Sequence, residues 1–211
     1  MVFVITPLDD TVKSVMEFTW PMILICVLLV SSLRVTDIIK NKKEFVLYKE
    51  LLTLCFMIYI LCLFQIVTFE DPYLLITDSH FNLVPFREIF RYRLGSRLFF
   101  KNVIGNLVLF VPYGFFAGFF TKLEKFRHAF CLILFSSISI EMTQLAIGRV
   151  FDIDDILLNI IGGLLGFFIY RSISKIWESL PKVFHSKAFL NGLSMLIVLI
   201  LIGYIGVVMI Q

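Results

Sequence analysis

Glu141 stands inside an apolar run, and it is the first residue of this 211-residue sequence that could do chemistry. It sits in Ser136-Ser137-Ile138-Ser139-Ile140-Glu141-Met142-Thr143-Gln144, and helical spacing puts Ser137, Glu141 and Gln144 on one face. An ionisable group within a membrane-length helix costs about 2.5–3.5 kcal/mol at the centre, so it is normally turned inward and paired. Downstream, Asp152-Ile153-Asp154-Asp155 opens a second apolar run, in which Asp155, Asn159, Gly162 and Gly166 form one stripe. Carboxylates at such a helix start also serve as caps, the plain role expected for Asp154. Asn106, near the start of a third run, is an amide that needs partners. Asn106, Glu141, Gln144, Asp152, Asp155 and Asn159 are therefore the expected functional polar cluster. Carboxylates and amide oxygens are donors for hard cations, so Glu141 and Asp155 are the pair a Mg²⁺ or Ca²⁺ would use. Nothing calls for an organic cofactor.

A second feature is the segment 82–101, Asn82-Leu83-Val84-Pro85-Phe86-Arg87-Glu88-Ile89-Phe90-Arg91-Tyr92-Arg93-Leu94-Gly95-Ser96-Arg97-Leu98-Phe99-Phe100-Lys101. Its basic and apolar residues do not separate on one helical wheel, and Gly95 breaks it. The expected form is an interfacial hairpin or short re-entrant element. Arg87, Arg91, Arg93 and Arg97 then either snorkel beside aromatic anchors or dock an anionic lipid headgroup or polyprenyl phosphate. His80, His128 and His185 are scattered, and Cys26, Cys55, Cys62 and Cys131 lie in apolar runs without metal-ligand spacing.

The elements that must position these residues are helices in lipid. Apolar residues make up 59% of the chain and charged residues 17%, too apolar a balance for a soluble domain. Runs at 18–33, 51–69, 103–121, 129–147, 156–170 and 189–210 each approach the length that spans a hydrocarbon core. The expected fold is all-α: a polytopic transmembrane helical bundle of about six helices, forming one domain over 1–211. The fifth run looks short, about 15 residues or ~23 Å. In the third run Pro112 should kink the helix, and Gly114 and Gly118 let a neighbour approach; Gly162 and Gly166 offer the same on the fifth.

Orientation follows from the 19 Lys and Arg residues. The loops after helices one, three and five carry twelve of them, from Arg34 to Lys187; the opposite side carries Lys13, Arg87, Arg91, Arg93, Arg97, Lys101 and Arg149. The positive-inside rule then places both termini and the motif-bearing loops outside. No basic start with a small-residue cleavage site marks the N-terminus as a signal, and the first run, 18–35 with its flank, reads as a retained helix. No internal repeat suggests a transporter.

Four stretches together resemble the VanZ-like family: Asn82-Leu83-Val84-Pro85-Phe86; Gly105-Asn106-Leu107-Val108-Leu109-Phe110-Val111-Pro112-Tyr113-Gly114; Glu141 with Gln144; and Asp152-Ile153-Asp154-Asp155 with Asn159, Gly162 and Gly166. The resemblance covers about 51–171, leaving the first helix and the last, 189–210, outside it. It implies a bacterial cell-envelope membrane protein that lowers susceptibility to teicoplanin-type glycopeptides. The expected partners are membrane lipids, a polyprenyl-linked cell-wall precursor or the glycopeptide itself, with no nucleic acid. Two other readings stay open. One is an intramembrane transferase or hydrolase acting on a lipid-linked phosphate substrate, with Glu141 as base and Asp155 as its partner. The other is a transporter subunit.

Overall fold

The computed structural model describes residues 7–68 and 81–210, with side chains over 20–67 and 81–204. Asp9, Asp10, Lys13, Glu17 and His80 fall outside the described side chains. The elements run α1 (Pro7–Lys40), α2 (Leu47–Thr68), β1 (Phe81–Asn82), α3 (Arg87–Arg91), α4 (Arg97–Phe99), a π-helical turn (Phe100–Ile104), α5 (Gly105–Thr121), α6 (Phe126–Ala146), β2 (Phe151–Asp152), α7 (Ile153–Ser179), a 3-10 turn (Lys182–His185) and α8 (Lys187–Ile210). Among the described residues, six helical stretches are long and apolar enough to cross a membrane: Trp20–Lys40, Leu47–Val67, Arg97–Thr121, Phe126–Ala146, Ile153–Ser179 and Lys187–Tyr204. The chain is an all-α, multi-pass membrane protein.

Two helices differ from their sequence outlines. The fifth span does not end at 170 but runs 27 residues to Ser179, about 40 Å at 1.5 Å per residue. Apolarity stops at Arg171, whereas the backbone continues through Ile173, Ile176 and Trp177, so no thinning of the bilayer is needed. Likewise Arg34 and Lys40 lie in α1 itself and not in the loop after it. α5 stays helical through Pro112.

The chain divides into two compact units, 1–62 with 179–211, and 63–178. In the first, the α1–α2 connection is tied by charge. Arg34 Nε donates to Glu50 Oε2 (2.9 Å), and Asp37 Oδ2 accepts from Arg34 Nη1 (3.0 Å) and Lys43 Nζ (2.8 Å). Asn191 on α8 accepts the Tyr48 amide at 3.2 Å, and Lys187 pairs with Glu44.

The second unit holds the packed interior. Phe110 of α5, Ala129 and Ile133 of α6 and Phe167 of α7 form its buried core. α5 and α7 meet backbone to backbone. A Cβ added at Gly114 would fall on the carbonyl of Gly163, one at Gly162 on that of Leu107, and one at Gly166 on that of Val111. Gly118 lies beneath the Tyr170 ring. In lipid, where apolar burial drives little association, such close approach supplies the dispersion contacts that hold helices together. The two short strands pair in parallel, Phe81 opposite Phe151 and Asn82 opposite Asp152, which fastens the chain ahead of α3 to the chain ahead of α7.

The glycine contacts give a direct prediction. Gly162→Ala should lower the stability of purified protein in detergent by about 1–3 kcal/mol through overpacking against the Leu107 carbonyl. Gly192→Ala on α8, where an added Cβ meets nothing within 4 Å, should be neutral or slightly stabilising. Thermal midpoints of both variants measure this, and equal midpoints would dismiss the packing role.

Candidate functional site

The site is assembled from one chain reversal and two helix starts. α6 ends in a Schellman motif: Arg149 N donates to Gln144 O (2.9 Å), Gly148 N to Leu145 O (3.1 Å), and Gly148 takes φ +88°. The reversal delivers Asp152 to the side of Glu141. Glu141 is 1% exposed; its Oε2 accepts the Asp152 amide at 2.9 Å. Gln144, with its amide turned to satisfy both ends, donates to Glu141 Oε1 (2.7 Å) and accepts Arg149 Nη1 (2.6 Å). Arg149 also reaches the Val67 carbonyl at 2.5 Å.

Asp152 and Asp154 exchange the roles their spacing suggests. Asp152 is the cap of α7, its Oδ1 accepting the Asp154 amide at 2.8 Å, and the same oxygen accepts Asn82 Nδ2 at 3.0 Å. Asp154, expected as the helix cap, is instead turned away from α7 and 1% exposed. Its Oδ1 accepts the Phe86 amide (2.5 Å), and its Oδ2 accepts those of Glu88 (2.7 Å) and Ile89 (3.2 Å). These are the open N–H groups at the start of α3, which has no side-chain cap of its own. The capping residue comes from another segment, 68 positions away from Phe86. Sequence reasoning missed it because capping rules look only at near neighbours.

That capture explains a strained residue. Val84-Pro85-Phe86-Arg87 is a turn closed by Arg87 N to Val84 O (3.4 Å), with Phe86 at φ +67°, ψ 4°. This is the third position of a type II turn, where glycine or asparagine is usual. A side chain there costs roughly 1–2 kcal/mol, which the Asp154 contact to the Phe86 amide offsets.

Asn106 donates to Asp155 Oδ1 at 2.5 Å, and Asn159 to Ser137 Oγ at 3.1 Å. Deeper in the same unit Tyr113 and Ser136 share a hydrogen bond. Asn106, Glu141, Gln144, Asp155 and Asn159 line one cavity with Leu63, Val67, Leu109, Phe110 and Ile140. Its water-sized space is about 20 Å³, room for about one water. Asp152 stands behind Glu141 and does not line it. Arg87, Arg91, Arg93 and Arg97 are exposed on the segment beyond. Gly114, Gly118, Gly162 and Gly166 lie at the α5–α7 contact, and Pro112 is within α5. The lining carries two carboxylates, three amides and no basic side chain. Among the described residues no three His, Cys, Asp or Glu side chains are grouped to hold a metal ion.

These linked segments are the ones that resemble a known family, and comparison decides the point. A family model described as VanZ/LLP1 matches residues 52–177. The chain belongs to the VanZ/LLP1 family. Among curated proteins it is similar to Protein VanZ of Enterococcus faecium, 29% identical over 125 residues, which cover 56% of this chain and 72% of that protein. No solved structure matches the chain. The VanZ/LLP1 region contains every polar residue of the cavity, whereas α1 and α8 lie outside it.

Two predictions follow the geometry. Asp154→Ala leaves three amides without their acceptor and should cost about 2–4 kcal/mol, with amide exchange accelerating first over 82–91; uniform or unchanged exchange there would contradict the capture. Burial pushes the Asp152 carboxyl above its ordinary value, against the pull of the Asp154 and Asn82 donors. A raised carboxyl contributes most below its unfolded value, about 3.9, and loses that contribution as pH rises through the folded value. Asp152→Asn keeps the cap without the titration, so its thermal midpoint should fall less than wild type between pH 4 and 7.

Proposed function

We propose that this protein lowers susceptibility to teicoplanin-type glycopeptides from the outer face of the bacterial membrane. It does so by binding an envelope lipid or cell-wall precursor at the Glu141–Asp155 cluster. The observation that carries the reading is the placement of Glu141: a carboxylate 1% exposed inside a span, tied through Asp152 and Asn82 to the other family segments. Intramembrane carboxylates of this kind are expensive and are typically functional. Family membership supplies the envelope context, and the excess of Lys and Arg on the opposite loops supports an outward-facing cluster.

The chemistry of the lining narrows what meets it. A phosphate would face two carboxylates without a basic side chain, whereas a hydroxyl or ammonium finds acceptors on Glu141, Asp155 and the amides. A water-sized space takes only the small polar end of such a ligand, with its apolar part against Leu63, Val67 and Leu109. The reading is one of binding: the polar groups of the cluster satisfy one another, and no nucleophile with an adjacent base lines the cavity.

The test is susceptibility of a sensitive bacterial host expressing the chain or Glu141→Gln at matched membrane abundance, with vancomycin as the control drug. Wild type should protect against teicoplanin, and the variant should return the host to the empty-vector level. Protection by both removes Glu141 from the site; protection by neither removes the resistance role.

A further inference from the structure

The segment from Leu83 to Phe100 carries chemistry that the cavity does not use. It is built from two tight turns flanking α3. The first is the Val84–Arg87 turn held by Asp154. The second, Arg93-Leu94-Gly95-Ser96, closes with Ser96 N to Arg93 O at 2.9 Å and places Gly95 at φ +80°, as a type II turn requires. Ser96 then caps α4 through the Phe99 amide, and the chain runs straight into the α5 span. The arm is thus fixed in depth twice, by the buried Asp154 at the first turn of α7 and by its continuity with α5.

At that depth its composition is informative. Phe90 and Leu94 are each 81% exposed, and Leu98 is 57% exposed. In water this would be an unusual display of large apolar groups. Interleaved with them, Arg87, Arg93 and Arg97 are exposed and, among the described residues, have no carboxylate partner; Arg91 is paired with Glu88 at 3.0 Å. Glu88 is the arm's sole acidic residue. Apolar groups and exposed guanidinium groups alternating at the end of a span match the boundary of a bilayer, where acyl chains and headgroup phosphates lie within one side-chain length.

We propose that this arm is a docking surface for anionic phospholipid: Arg87, Arg93 and Arg97 take headgroup phosphates while Phe90, Leu94 and Leu98 enter the acyl region. Guanidinium groups pair with phosphate in a fork of two hydrogen bonds, and a headgroup without its own cation leaves that phosphate's charge unbalanced, which favours a net anionic lipid over a zwitterionic one. The inference stands on the arm's own exposure and charge and is independent of any effect on glycopeptides.

The experiment compares lipid retained by purified full-length protein after exchange into equal amounts of phosphatidylglycerol and phosphatidylcholine, read by native mass spectrometry. Wild type should retain phosphatidylglycerol preferentially. The combined variant Arg87→Gln, Arg93→Gln and Arg97→Gln should lose the preference, by about fivefold for each arginine, whereas Lys122→Gln, Lys125→Gln and Arg127→Gln should keep it. An arm variant that retains the wild-type preference, or a control variant that loses it equally, overturns the proposal. A second measurement does not depend on the arginine variants. A nitroxide attached at Phe90→Cys, with Cys26, Cys55, Cys62 and Cys131 replaced by Ala, should be reached by oxygen and shielded from a water-soluble nickel reagent in 3:1 phosphatidylcholine–phosphatidylglycerol vesicles. Exposure of that position to the nickel reagent would also sink the idea.

Discussion

One buried carboxylate organises the family region. Asp154 is almost fully removed from solvent, and a carboxylate so placed is tolerable only if its oxygens are filled by donors. Its donors are backbone amides of another segment, which have no other acceptor at the start of α3. The need is mutual. The carboxylate needs N–H groups, the short helix needs a cap, and the strained Phe86 needs an anchor. Because Asp154 lies in the first turn of α7, the arm inherits the rigidity of a 27-residue helix. The parallel strand pair and the Asn82–Asp152 contact bind the same two segments a second time.

The cavity depends on this arrangement through Asp152. Its amide is a donor to Glu141, so the position of an intramembrane carboxylate is set by the loop that Asp154 and Asn82 hold. Glycine packing sets the other wall. With backbones in contact at Gly114, Gly162 and Gly166, Asn106 on α5 reaches Asp155 on α7 directly. Acidic and amide groups line the cavity, whereas the arm displays its guanidinium groups on the surface. Low dielectric within the helices keeps the first set strongly coupled, while the second acts in a screened boundary layer.

Much of this was legible in residue types. Six apolar runs gave six spans among the described residues, and Asn106, Glu141, Gln144, Asp155 and Asn159 gave one cavity, because helical periodicity and the cost of polar groups in lipid constrain both. The length of α7 was not legible, since hydropathy ends at Arg171 while helical hydrogen bonding does not. Nor was the exchange between Asp152 and Asp154. Two aspartates one residue apart near a helix start look equivalent in sequence; their difference is which way each points, and a partner 68 residues earlier decides it. The arm's two turns were visible as Pro85 and Gly95, but the left-handed Phe86 was hidden, because the rule favouring glycine there is overridden by a contact made at long range.

The π-helical turn at Phe100–Ile104, where the Gly105 amide bonds back to Phe100, joins the arm to the span. A regular helix is a phase-keeping device: each residue advances about 100°, and the facing of one end dictates the facing of the other. A turn with one residue more than the α-helical repeat breaks that dictation. It acts as a phase shifter, so that the arm can meet Asp154 and the bilayer while Asn106, a few residues on, is aimed at Asp155. The arm and the membrane core are therefore geared separately. Sequence change can retune the outer surface of this protein without rotating its buried polar groups out of mesh.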